Sequence, residues 1–202
     1  MKKLFTLLAM FLLVQAQAQT INFTPFAGYV FDDHVDYSNG YGTVKGGFIY
    51  GGTLEYVIQD VSSVGLLYQH QDSQFDGFTG LAILPTNFDL GGNYMLLQGT
   101  RYFPVANDKV KPYAGLGAGV AWFNNKATEE SLTKFGWDFH LGAKFSPSDR
   151  FGIKIQAQLM SAVQAAGGSF YVGTGGVGTG VSGYSTIYQF GLTGGIAIAL
   201  GH

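Results

Sequence analysis

The chain has 202 residues and a formal net charge of −2, from 11 basic and 13 acidic side chains. Charged residues make up 12% of it, against roughly 25% in an average soluble protein, and the absence of clustered Lys and Arg argues against nucleic acid as a partner. No cysteine is present, which removes disulfides and thiolate metal sites from consideration.

The first stretch, MKKLFTLLAMFLLVQAQAQ, places two lysines before an apolar run from Leu4 to Val14 and then Ala16-Gln17-Ala18. That order predicts an export signal cleaved after Ala18, with residues 1–18 as leader and 19–202 as one domain. The run is shorter than the roughly 20 residues that an anchoring helix needs. Loss of Lys2 and Lys3 takes the basic side chains from 11 to 9 against 13 acidic ones, a formal −4. Beyond the leader no apolar run reaches the roughly 18 residues of a membrane-spanning helix.

Period-two alternation recurs instead, and it predicts eight strands: Ile21 to Phe31, Gly47 to Ile58, Ser63 to Gln71, Leu90 to Phe103, Pro112 to Phe123, Phe135 to Phe145, Phe151 to Ala162 and Thr186 to Leu200. Short turns (Gln59-Asp60, Ala106 to Lys109, Pro147 to Arg150) alternate with longer loops (Asp32 to Lys45, Asp72 to Asp89, Asn124 to Lys134, Val163 to Ser185). Tight turns at one end and long loops at the other describe an antiparallel up-and-down meander, and eight such strands can close into a barrel without exposed edges.

Which face points outward follows from charge and volume. A water-facing polar face would be about a quarter to a third charged, whereas here it is mostly Gly, Ser, Thr, Gln and Asn. An eight-stranded bore is just wide enough for side chains and has no room for Phe, Trp and Tyr from every strand. In KFGWDFHLGAKF, Phe135, Trp137, Phe139, Leu141 and Phe145 therefore face lipid, while Asp138, His140 and Lys144 line the bore. The expected fold is an all-β, eight-stranded antiparallel transmembrane barrel.

The same parity puts Glu55, Arg101, Lys144 and Lys154 in the bore near the short-turn end, with Asp138 and His140 higher and Gln156 and Gln189 on the same inner face. Charges in so narrow a lumen have to be paired or hydrated. The cluster reads as a salt-bridge plug, or as a gate whose pairs exchange partners. Aromatics near strand ends are expected to form two interface girdles: Tyr29, Phe48, Tyr68, Trp122, Trp137 and Tyr188 at the long-loop end, and Tyr56, Tyr102, Phe145 and Phe151 at the short-turn end. An N-terminus left in the periplasm puts the long loops outside the cell.

Taken together, these residues resemble the small eight-stranded outer-membrane barrels of Gram-negative bacteria, the group that holds the OmpA transmembrane domain, OmpX and OmpW. The pieces that carry the resemblance are VKPYAGLGAGVAWF (Val110 to Phe123) and TGGIAIAL, where Thr193, Gly195, Ile198 and Leu200 fit the C-terminal assembly signal. The usual final aromatic is replaced by Leu200-Gly201-His202. The resemblance implies a place in the outer membrane, contact with its lipid and handling by the barrel-assembly machinery; the peptidoglycan-binding domain of full OmpA-type proteins is not expected.

Other motifs read weakly. GTGGVGTG (Gly173 to Gly180) contains GxGxxG without the strand, helix and acidic residue of a dinucleotide site. DDHVD places His34 among Asp32, Asp33 and Asp36, a pattern that suits either a metal ligand or, with Ser73 or Ser131, a base that resembles that of the lipid A palmitoyltransferase; a solvated acidic loop is the expected reading, and His70 in YQHQDS lacks the serine motif of the lipid A deacylases. The expected protein has no catalytic residues, cofactor or metal. It serves an envelope-structural or surface-interaction role with an envelope or surface partner; the alternatives are a narrow OmpW-like pore for small solutes and a lipid A-modifying enzyme.

Overall fold

The computed structural model describes residues 21–37, 40–59, 61–79, 86–106, 109–125, 131–148, 150–163, 169–173, 176–180 and 187–200. The leader and its cleavage site lie outside these residues. No helix among them is long and apolar enough to cross a membrane. The strands, in chain order, are β1 (Ile21–Val30), β2 (Asp33–Tyr37), β3 (Gly40–Val44), β4 (Gly47–Ile58), β5 (Ser62–Thr79), β6 (Thr86–Tyr102), β7 (Val110–Asn125), β8 (Ser131–Phe145), β9 (Phe151–Val163), β10 (Ser169–Gly173), β11 (Gly176–Gly180) and β12 (Ile187–Ala199).

Eight of these close on themselves. The order β5-β4-β1-β12-β9-β8-β7-β6 is completed by pairing of β6 with β5, and each contact is antiparallel. The first and last strands seal the wall, from Asn22 opposite Ala199 to Val30 opposite Gly191. Closure gives each of the eight strands a hydrogen-bonded neighbour on both sides, the condition for sheet structure inside a bilayer. At the turn from β4 to β5, Gln59 takes a left-handed backbone with φ of 51°.

The outer wall follows period two. Phe48, Tyr50, Leu54, Tyr56 and Ile58 of β4 are exposed and alternate with buried or half-buried residues; so do Phe151, Ile153 and Ile155 of β9 and Tyr188, Phe190, Leu192 and Ile196 of β12. An apolar surface of this extent in water would aggregate; against acyl chains it is the solvated state.

Two predicted features need correction. The loops Asp32 to Lys45 and Val163 to Ser185 contain the β2–β3 and β10–β11 hairpins, so the GTGGVGTG stretch is largely strand. Likewise β5 runs to Thr79 and β6 starts at Thr86, and β3 pairs with residues 75–79 of β5. Strands of 18 and 17 residues exceed the roughly 9–11 that cross a bilayer. Beyond the bilayer no contrast between lipid and bore imposes alternation, so their pattern is illegible in sequence.

The second correction concerns β6. It pairs with β5 and β7 without a bulge at Leu96-Leu97. Leu96 (0% exposed) therefore faces in and Leu97 (63%) faces out. From there Gln98, Thr100 and Tyr102 point inward and Arg101 outward, opposite to the predicted parity. Arg101 donates to Ser62 Oγ at 3.1 Å on the exposed surface. Tyr102, expected in a girdle, is 4% exposed inside the barrel.

Candidate functional site

The interior is built in tiers along its length. At the short-turn end Glu55, 3% exposed, projects from β4 and Lys154, 7% exposed, from β9. Lys154 Nζ donates to both Glu55 carboxylate oxygens, at 3.0 and 2.9 Å. Tyr102 OH and Ser63 Oγ donate to Glu55 Oε1 at 3.2 and 3.3 Å. The ammonium also lies 4.7 Å from the centre of the Tyr113 ring, a cation–π contact that suits a charge removed from water. Lys144 of β8 acts electrostatically on the same carboxylate. Arg101 is not part of this tier.

The middle tier is a hydrogen-bonded column. His140 Nδ1 lies 2.6 Å from Asp138 Oδ2, and its Nε2 lies 3.0 Å from Thr100 Oγ1. A carboxylate only accepts, so Nδ1 carries the proton in its bond to Asp138, while Nε2 and the threonine hydroxyl share the second bond. Gln98 Nε2 adds a bond to Asp138 Oδ2 at 3.0 Å. Beside it Tyr113 OH donates to Gln156 Oε1 (3.1 Å), Gln156 to Gln158 (3.1 Å), and Gln158 to Gln69 (2.7 Å). Gln189 is 2% exposed on the same inner face.

This column lies against β7, whose inward positions include Gly115, Gly117 and Gly119. A Cβ on Gly117 would collide with Asp138 Oδ1, and one on Gly115 with His140 Nε2. The missing side chains are where the Asp138 and His140 side chains lie. Gly117→Ala is expected to cost about 1–3 kcal/mol of stability, the usual range for overpacking. The check is a double-mutant cycle by urea unfolding with Asp138→Ala, which vacates the space; additive losses would show that the contact does not matter.

The third tier is apolar. Leu67, Tyr94, Leu96, Ala121, Phe123, Met160 and Ala162 form one buried cluster, with Phe26 packed against it. Tyr94 and Phe123 meet edge to face with centroids 5.9 Å apart. Inward aromatics fit because glycine stands directly across the sheet: Phe26 faces Gly51 and Gly195, Phe123 faces Gly92, and Tyr113 faces Gly142. Sequence reasoning placed Asp138, His140, Lys144 and Lys154 on the inner face but missed Gln98, Thr100, Tyr113 and this cluster. Each aromatic–glycine pair is a signal, but one that appears only once strands are in register.

The remaining candidates distribute plainly. Tyr29, Phe48, Tyr56, Tyr68, Phe145, Phe151 and Tyr188 are exposed on the outer wall, with Trp122 and Trp137 half-buried there. Tyr68 and Trp122 are ring neighbours, as are Trp137 and Tyr188. His70 also faces outward: its Nδ1 lies 2.8 Å from Asn93 Oδ1 and its Nε2 3.5 Å from Asp72. Ser73 turns inward and donates to the Lys45 carbonyl at 2.6 Å, on the opposite face of β5 from His70. Side chains of His34 and Ser131 lie outside the described residues, and among those described no group of three or more His, Asp or Glu could hold a metal ion.

A closed eight-stranded wall with an apolar outer face defines a transmembrane barrel of the outer-membrane type. The family described as outer membrane protein beta-barrel domain matches residues 4–182, and the chain belongs to it. Among solved structures it is similar to Neisserial surface protein A (TM-score 0.57, 14% identity, 90% of this chain and 99% of that one). It is also similar to OprG of Pseudomonas aeruginosa (0.58, 15%, 91% and 96%). A third is Ail, the attachment invasion locus protein of Yersinia pestis, in complex with the heparin analogue sucrose octasulfate (0.53, 13%, 90% and 98%). No curated protein matches. At these identities the likeness establishes the fold, and the chain is an integral protein of the Gram-negative outer membrane.

Proposed function

We propose that this is a non-catalytic outer-membrane barrel with a plugged bore, serving as an envelope-structural or surface-interaction protein through its wall and its long-loop end. The observation that supports this is the interior: the Glu55–Lys154 pair and the apolar cluster around Tyr94 and Phe123 occupy two separate levels. A hydrated ion has to displace both. The leader 1–18 is removed, the short turns face the periplasm, and the aromatic rings at the wall ends lie at the membrane interfaces. Partners are lipid along the wall, the assembly machinery at the C-terminal strand, and an envelope or surface protein at the protruding β2-β3-β5-β6 sheet.

Ail carries a sulfated sugar analogue, but the long-loop side here holds Asp32, Asp33, Asp36, Asp72, Asp76, Glu129 and Glu130. That charge favours a neutral or basic partner over a polyanion. The refolded protein in a planar bilayer is expected to give no current steps, and the double variant Tyr94→Ala/Phe123→Ala is expected to give them only when Glu55→Gln/Lys154→Met is added. Steady steps from the wild type would replace this reading with that of a narrow pore.

A further inference from the structure

Among the Lys and Arg side chains of the eight barrel strands, Arg101 is the one on an outward position; Lys111, Lys134, Lys144 and Lys154 stand on inward positions of theirs. Arg101 is exposed and is the last residue but one of β6, and Ser62, directly across from it, is the first of β5. That is the short-turn rim of the wall, where a long cation on the lipid face reaches the headgroup layer. A guanidinium keeps its charge and carries several N–H donors in a planar fork. One of them goes to Ser62 Oγ at 3.1 Å, and among the described residues no carboxylate pairs with the others. A cation on an apolar wall is stable only where an anion or water meets it.

The wall beside Arg101 is shaped for more than water. The next outward position along β6 is Gly99, where a Cβ would meet nothing within 4 Å, and the residue opposite Arg101 on β7 is Ala114. Val64 of β5 and Leu116 of β7 flank Gly99 from either side, and Leu97 closes the far end; all three are exposed and apolar. A shallow notch therefore runs from the guanidinium towards the middle of the bilayer. We infer that Arg101 and Ser62 hold the phosphodiester of a glycerophospholipid from the leaflet at the short-turn end, with the upper part of an acyl chain seated over Gly99. The guanidinium fork matches paired phosphate oxygens with charge-assisted bonds. Ser62 Oγ accepts from Arg101 and keeps its own hydrogen for a phosphate oxygen. A soluble phosphate offers the same oxyanion, but the notch is apolar and opens to lipid, so the lipid is the occupant. The site rests on the lipid-facing wall and is independent of the plugged bore and of the role assigned to the long-loop end.

The test uses the full chain refolded in maltoside micelles, which contain no phosphate, with phosphatidylethanolamine added and retained lipid read by native mass spectrometry. The wild type is expected to keep a bound phosphatidylethanolamine, and Arg101→Gln to weaken that binding about tenfold or more, the usual effect of losing a hydrogen bond to a charged group. Arg101→Lys, which keeps the charge and loses the fork, should fall between the two, and Gly99→Leu should weaken binding by filling the notch. Diacylglycerol, which has the tails without the phosphate, should bind the wild type no better than phosphatidylethanolamine binds Arg101→Gln. Equal retention of phosphatidylethanolamine by wild type and Arg101→Gln would overturn the site. Displacement of the lipid by equimolar glycerol phosphate would overturn the lipid source and leave a soluble phosphate site. A urea midpoint lowered by Arg101→Gln in micelles without phospholipid would also overturn the proposal, because the guanidinium would then be paired within the chain. Should the variants fail to fold, solid-state NMR on the wild type in phospholipid bilayers decides: no dipolar coupling between lipid phosphorus and the Arg101 guanidinium nitrogens ends the proposal.

Discussion

Replacing Glu55 by alanine is expected to lower the stability of the refolded barrel by about 3–5 kcal/mol, the cost of leaving one half of a buried ion pair uncompensated. Lys154 keeps its ammonium at 7% exposure, and Tyr102 and Ser63 lose their acceptor at the same time. Glu55→Gln with Lys154→Met removes both charges and is expected to recover most of the loss, since a neutral pair of similar volume carries no desolvation penalty. The measurement is the urea midpoint followed through Trp122 and Trp137 fluorescence. An unchanged midpoint for Glu55→Ala would mean that water already solvates this tier, and the plug reading would fall with it.

Ile155→Arg is expected to cost about 2–4 kcal/mol in lipid vesicles, the penalty for a guanidinium on the lipid face at mid-depth. Ile155 is 66% exposed on the outer wall and pairs with Ala143 and Gly194. It lies partway between Phe151 at the short-turn end and Ser161, which pairs with Trp137 and Tyr188. Phe151→Arg, at the end of the same strand, should cost only about 0–1 kcal/mol because a long cation there reaches the interface. Equal losses at the two positions would contradict the depth assigned to the wall. A water-facing wall predicts the reverse: both variants would fold and be more soluble.

Much of the wall was legible from residue order. In β4, β8, β9 and β12 the outward face is mostly large and apolar, broken only by small residues such as Gly52, Ala143, Ala157 and Gly194, and the inward face is mostly small or polar, so parity is readable there; Glu55, Asp138, His140, Lys154 and Gln189 are all buried on the inner face. On β6 this contrast fails. Leu96 and Leu97 are chemically alike yet face opposite ways, and a strand with apolar residues on both faces gives no parity. Pairing with β5 and β7 settles it, through Arg101 opposite Ser62 and Tyr102 opposite Tyr113.

The interior divides in the same way. Volume in an eight-stranded bore rules out an aromatic from every strand, and that bound holds. It does not forbid Phe26, Tyr94, Tyr102, Tyr113 and Phe123, three of which fit opposite glycines contributed by distant parts of the chain. By itself, then, the sequence determined a closed lipid-facing barrel and the sign of most faces, because period-two alternation is a local consequence of a wall between two unlike media. Only the tertiary structure decided which inward groups meet, because the Glu55–Lys154 bond and the glycine-matched rings depend on cross-strand register. Register is a relation between segments far apart in the chain, and no single segment encodes it.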